Sequence, residues 1–247
     1  MELVPVLLLA LVCVLPATVL GEPRMYGGEV ATRKDYPYMA IVAHARDVVG
    51  NGVIISFKWV LTTSTVLNQY QPTEFCAVIG GDTLSSSSWY DVKRIWKHPE
   101  WIGDFYNIGL LQLLRAIKYT PTVQPISIAT DSPPSLEGTM ISFGENESGS
   151  TRMQQAPVTL YSDDTCLNSL RSELNRMIVR KGHAYCIAAR NGKELRFESD
   201  DNGGAIVANN LLYSLFDIDN DREMVPSRVT DPEMRNWVHG MIDKLGA

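Results

Sequence analysis

The feature that most constrains this chain is a succession of short apolar runs, each cut off within a few residues by Gly, Pro, Asn or Asp. YMAIVAHA (38–45), GVIISFKWVLTT (52–63), FCAVIGG (75–81), WYDVKRIWK (89–97), NIGLLQLL (107–114), GTMISFG (138–144), APVTLY (156–161) and NNLLYSLFDI (209–218) have the length and the β-branched and aromatic content of strands. Helical periodicity is confined to two places. One is TCLNSLRSELNRMIV (165–179). The other is DPEMRNWVHGMIDKL (231–245), where Asp231 and Pro232 supply an N-cap and a first-turn residue, and Met234, Trp237, Val238, Met241 and Ile242 share one face. Many strands and a late helix predict an all-β fold, an antiparallel barrel or sandwich.

With 247 residues, 45% hydrophobic and 20% charged, the chain is long enough for one large domain or two lobes and too apolar for extended disorder. Residues 1–21 are apolar and lack Lys and Arg, with Ala17, Thr18 and Gly21 near the end. They read as a cleaved signal peptide, the alternative being a membrane anchor, and imply a secreted, extracellular protein. Its removal takes one acid, Glu2, and no base, moving the net charge from −6 to −5. That balance gives no support to nucleic-acid or membrane binding. Removal also takes Cys13, leaving three cysteines of four and one thiol without an intramolecular partner. The polar stretch 145–151 reads as a loop, and Asn146 begins a glycosylation sequon.

Four landmarks in consistent order carry a resemblance. They are Arg24-Met25-Tyr26-Gly27-Gly28, then Trp59-Val60-Leu61-Thr62, then His98-Pro99 followed by Asn107-Ile108-Gly109-Leu110-Leu111, and last Asp201-Asn202-Gly203-Gly204. Together they resemble the activation site, the strand before the catalytic His, the segment bearing the catalytic Asp and the nucleophile loop of the trypsin/chymotrypsin (peptidase S1) serine proteases. The resemblance implies two packed antiparallel β-barrels with a C-terminal α-helix. It places a short propeptide at 22–24, a first barrel at about 25–130, a second at about 131–230 and the helix at about 231–244.

In that family a Ser attacks the scissile carbonyl, a His takes its proton and an Asp orients the imidazole. Carried over residue by residue, the His position is Thr65, the Asp position Asn107 and the nucleophile position Asn202. Thr65 is no general base at neutral pH, Asn107 offers no charge, and Asn202 has no ionisable proton. Losing the nucleophile or the base alone already costs about a million-fold, because the groups act as a unit. The four histidines, 44, 98, 183 and 239, include none close in sequence to Thr65. Asp200 stands where a Gly usually supplies an oxyanion-hole amide. The pocket floor falls at Arg196, and two wall positions usually held by Gly fall at Phe216 and Met224, bulk that would close the pocket.

The family's cysteines give an independent check. One pair falls at Val66 and Gly50, a second at Gly138 and Ala208, a third at Glu198 and about Asp219, each missing both members. The resemblance implies a Cys166–Cys186 disulfide. Cys76 is left over, either as a buried core thiol or as half of an intermolecular disulfide. Cleavage after Arg24 would free the amine of Met25, which the resemblance pairs with Asp201 as a switch between loop states.

These readings favour a secreted pseudoprotease that binds a protein partner (a protease, an inhibitor or a cascade component) and is not an enzyme. The alternative is an active serine-type endopeptidase with a displaced catalyst. No His/Cys/Asp cluster has metal-ligand spacing, DIDND (217–221) lacks the features of a calcium loop, and no cofactor is implied.

Overall fold

The computed structural model describes residues 25, 28–68, 74–145, 151–190, 195, 197–218 and 223–246. The residues 1–21 read as a signal peptide, together with Arg24, Asn146, Arg196 and Asp219, lie outside them.

In chain order the elements are β1 (Glu29–Val30), β2 (Met39–His44), β3 (Asp47–Ser56), β4 (Trp59–Thr62), α1 (Ser64–Asn68), β5 (Phe75–Ile79), β6 (Ser88–Lys97), β7 (Gly109–Leu113) and β8 (Ser127–Ile128). There follow β9 (Ser135–Glu145), β10 (Thr151–Tyr161), α2 (Asp164–Ser169), α3 (Glu173–Arg180), β11 (Cys186–Ala189), β12 (Ala205–Ala208), β13 (Leu211–Leu215) and α4 (Pro232–Leu245).

Six strands close into the first barrel in the order β2-β3-β4-β7-β6-β5. The second sheet runs β1-β10-β9-β12-β13-β8, with β11 on β10. Single bridges from Ser227 to Ala184, just before β11, and to Leu215 of β13 curl it into a second, barrel-like sheet. β1 and β8 therefore belong to the second sheet, and the first barrel is narrower than the 25–130 expected of it.

Burial explains why the strands read as unbroken apolar runs. In β2, Ala40 and Val42 face the interior of the first barrel, while Met39, Ile41 and Ala43 face a second cluster shared with the other barrel and α4. Both faces are buried, so polar alternation is lost. That shared cluster joins Trp59 and Leu110 to Ile141, Phe143, Leu215, Met234 and Val238. The α4 face is the one its periodicity predicts. Trp237, Met241 and Ile242 pack beside the buried Met234 and Val238. Asp231 caps the helix, accepting from the N–H of Glu233 (3.0 Å) and of Met234 (3.2 Å), and Pro232 occupies its first turn.

Two expected elements are divided. GVIISFKWVLTT is a hairpin, β3 and β4, turning at Phe57-Lys58 with no Gly, Pro or Asn to mark the turn. The helical stretch 165–179 breaks at Leu170-Arg171-Ser172. There the Glu223 carboxylate accepts N–H donors from Arg171 and Ser172, and Ser172 caps α3. A carboxylate from a distant loop supplies acceptors that local periodicity cannot foresee.

Candidate active site

The triad-equivalent positions lie where the barrels meet. β4 runs into α1, and Ser64 Oγ donates to Ile108 O (2.7 Å), fixing the first turn of α1 against the residues before β7. Thr65 and Asn107 are thereby locked together. The Thr65 N–H donates to Asn107 Oδ1 (3.0 Å), and Asn107 Nδ2 donates to Thr65 Oγ1 (2.8 Å) and to Asp217 Oδ2 (2.7 Å). Thr65 Oγ1 also donates to Asp217 Oδ2 (3.3 Å), and Thr63 Oγ1 lies 3.5 Å from Asp217 Oδ1. Asn107 and Asp217 are fully buried. A buried carboxylate is tolerable only when donors surround it, and here the first barrel supplies them to an Asp of the second.

Asn202 follows a 3-10 turn over Ser199–Asp201 and is buried. Its N–H donates to Ser199 O (3.1 Å), its Oδ1 accepts from the Ile218 N–H (2.9 Å), and its carbonyl accepts from the Asn51 N–H (2.8 Å). The Asn202 amide is thus engaged within its own turn. Gly203 has φ +78, and a Cβ there would stand 2.1 Å from Asn51 O and 2.6 Å from Thr62 Oγ1, so only glycine fits. Asn51 ties three segments together. Its Nδ2 donates to Asp200 O (2.8 Å), its Oδ1 accepts from the Phe143 N–H (2.6 Å), and its carbonyl accepts from Thr62 Oγ1 (2.6 Å). Asp201, fully buried, accepts from Ser142 Oγ (2.6 Å) and from the Glu198 N–H (3.0 Å).

The structure thus brings Thr65 and Asn107 into contact and links Asn202 to them through Asp217-Ile218. Asp217 and Asn51 are the residues the sequence reading missed. A carboxylate ending the run NNLLYSLF and an Asn between two glycines inside a strand were the available signals.

The pocket assignment needs correction. Phe216 exchanges backbone hydrogen bonds with Gly203 (2.8 Å) and Gly204 (2.7 Å), so it stands directly behind the nucleophile-equivalent loop. Its side chain is fully buried in the second barrel, with its ring 4.7 Å from that of Phe197. It is core, not a wall at the cleft. The residue of this strand end that reaches Asn107 is Asp217, not Ser214. Ser214 instead donates to Ser227 O (2.6 Å). Met224 packs on the same cluster and bridges to Ile218. Met25 is buried there too, among Met140, Phe197 and Phe216.

The histidines make their contacts elsewhere. His98 stacks on Tyr106 (4.6 Å between centroids), His183 tilts against the same ring (4.4 Å), His44 meets Phe75 (5.1 Å), and His239 is exposed on α4. Burial holds the His98 imidazole below its usual pKa, against the pull of Glu100, Glu233 and Asp231.

Cys166 and Cys186 are bonded (2.10 Å). A Cβ on Gly50 would lie 2.7 Å from Val66 Cγ2, so a valine side chain fills the space between the two positions the family resemblance assigns to a cystine. Gly138 and Ala208 are also neighbours, one step beyond the Val207–Thr139 pairing. Cys76 is half-buried and not a core thiol: it points outward from β5, its Sγ 3.7 Å from Asp91 Oδ1. Burial, and then Asp91, push its pKa up. Among the described residues no group of three or more His, Cys, Asp or Glu could hold a metal ion, and no helix is long and apolar enough to cross a membrane.

One closed barrel, a second barrel-like sheet, a terminal helix and the loop-built junction between them define the architecture of a protease scaffold. The trypsin family model matches residues 25–216, and the chain belongs to that family. It is 26% identical over 159 residues to transmembrane protease serine 9 of Rattus norvegicus, matching 58% of this chain and 14% of that protein. It is 26% identical over 152 residues to serine protease SP24D of Anopheles gambiae, matching 58% of this chain and 56% of that protein. The chain therefore spans well under two thirds of either curated relative. Among solved structures, neuropsin, a serine protease expressed in the limbic system of mouse brain, superposes with a TM-score of 0.72 at 18% identity, over 88% of this chain and 99% of that one. GrC superposes with a TM-score of 0.71 at 20% identity over the same shares. Both likenesses speak to the fold.

Proposed function

We propose that this chain is a non-catalytic member of the trypsin family, a secreted pseudoprotease that serves as a binding or regulatory module in extracellular proteolysis. The observation that carries this reading is the closed network at the triad positions. Thr65, Asn107 and Asp217 satisfy one another, and Asn202 spends its side-chain oxygen on the Ile218 N–H. Proton relay needs an imidazole between nucleophile and carboxylate, and the ring contacts of all three non-exposed histidines lie outside this network. The amide of Asn202, engaged with Ser199 O, is turned from the task of meeting an oxyanion. Phe197, Phe216 and Met224 fill the second barrel beside it. Secretion is supported by the apolar residues 1–21 and by a disulfide, which persists in oxidising compartments.

In its regulatory form this reading makes cleavage after Arg24 the switch. The freed Met25 amine would reach Asp201, a carboxylate that Ser142 and the Glu198 N–H already hold.

A fluorophosphonate probe applied before and after trypsin nicking at Arg24 tests both ideas. Neither sample should be labelled, and the nicked one should unfold at a higher urea concentration. Stoichiometric labelling of either would overturn the loss of catalysis and mean that a displaced serine is activated. An unchanged urea midpoint would sink the switch alone.

A further inference from the structure

Charge is divided unevenly between the halves of the chain. Residues 25–130 carry nine Lys and Arg against eight Asp and Glu, and residues 131–247 carry twelve against eighteen. The described ion pairs all lie in the second half: Arg171–Glu223, Arg176–Glu173, Arg180–Glu173 and Arg190–Glu137. Three exposed cations of the first barrel are held by rings and neutral acceptors. The Arg46 guanidinium lies 5.5 Å from the Trp89 ring centre, and that of Arg115 lies 4.2 Å from Tyr90 and donates to Trp89 O (2.9 Å). Lys97 Nζ lies 4.8 Å from Trp101 and donates to Asn68 Oδ1 (2.8 Å). Lys93 and Arg94 stand exposed side by side where β6 bulges, between Val92 and Arg94.

These five cations follow β6 and the turns beside it, over the roughly 30 Å that ten extended residues span. Asp91 is the one carboxylate of β6, and its Oδ1 faces the Cys76 thiol. A guanidinium seated on a ring keeps its charge and its N–H edge exposed while its stem is already ordered, so less freedom is lost when an anion arrives.

We propose that this face of the first barrel is a docking surface for a sulfated polysaccharide. A linear polymer of closely spaced anionic groups matches a row of cations, three of them seated on rings, that none of the described ion pairs ties to a carboxylate. Stacking of unpaired nucleic-acid bases needs free aromatic faces, and those of Trp89, Tyr90 and Trp101 each carry a cation. Insertion into an anionic membrane needs an apolar face between the cations, which β6 does not present outward. The proposal is independent of the loss of catalysis.

The test is retention of the full-length protein on immobilised heparin, with titration by a heparin decasaccharide. Despite its net charge of −6, the protein should be retained at about 0.05 M salt and released by about 0.5 M, where charges are screened within a few ångströms. K93E/R94E should weaken decasaccharide binding at least roughly tenfold, since two attractive contacts become repulsive. K181E/K244E, the same charge change at exposed positions of the second half, should alter it by less than about twofold at this ionic strength. Equal circular dichroism and urea midpoints would exclude misfolding of either variant. Failure of the native protein to bind, equal losses in the two variants, or tighter binding of single-stranded DNA or phosphatidylserine vesicles would each overturn the assignment.

Discussion

The two barrels close by different means. In the first, each of six strands pairs with two neighbours, so the ring is complete in backbone hydrogen bonds. In the second, the sheet runs out to β8 on one side and to β1 and β11 on the other, and among the described residues the single bridges of Ser227 to Ala184 and Leu215 join the β11 side to β13. The strong fastenings gather on that incomplete side. The Cys166–Cys186 bond ties α2 to β11, and Glu223 accepts from Arg171, Ser172 and Asn175 (2.7 Å for the last). A finished ladder leaves few unpaired backbone groups to protect, so a cross-link adds little to it. At Gly50 and Val66 packing alone has taken the place of a cystine.

The largest effect expected from this contrast is on the second barrel. Replacing Cys166 and Cys186 by Ser opens a loop of separation 20 and should cost about 3 kcal/mol, read from urea unfolding. Amide exchange should quicken in α2, α3 and β11 and stay slow in β2 to β7. Uniform loss of protection would mean that the barrels do not differ in how they are held.

A smaller effect, of opposite sign, is expected from Gly50→Cys with Val66→Cys. The bridge should form on oxidation but add at most about 1 kcal/mol, because a Cβ at Gly50 (φ +155) meets the Asn202 carbonyl oxygen at 2.8 Å. A gain equal to the loss above would show that completeness of the ladder is irrelevant.

The smallest effect is on pH dependence, and it separates the regions by midpoint. His98 has a pKa below its usual value, so the unfolded chain takes up the proton first. Its contribution is therefore present above the ordinary histidine value of about 6.5 and lost as pH falls below it. Burial alone would raise the pKa of Glu223, but the Arg171 N–H, Asn175 and the Ser172 N–H, with the Arg171 charge, leave it lowered. Its contribution is lost only as pH falls below the ordinary glutamate value of about 4.3. Exchange in the first barrel and at α4 should therefore respond below about pH 6.5, and exchange around α3 only below about pH 4.3. A single transition reported alike by both regions would argue against separate fastening.

Much of the architecture was legible beforehand because a strand buried on both faces writes an apolar run, as β2 and β7 do, and because Asp231-Pro232 announces α4 by its capping chemistry. The strands it failed to mark, β1, β8, β11 and β12, are two or four residues long and carry too few side chains to set a period. The Phe57-Lys58 turn and the break between α2 and α3 were invisible for a different reason. Neither contains a residue that demands a turn, and the second is set by Glu223, about fifty residues further along the chain.

By itself the sequence determined which chemical groups stand at Thr65, Asn107 and Asn202, since landmark motifs fix those positions through local spacing. It also determined the one cystine available to the second barrel. Only the tertiary structure decided that Asp217 and Asn51 hold those positions together, that Phe216 belongs to the core, and that Cys76 faces outward. A side chain's identity is local, but its hydrogen-bond partners and the face it presents depend on strand register and on segments more than a hundred residues away. Those are fixed only when two barrels pack.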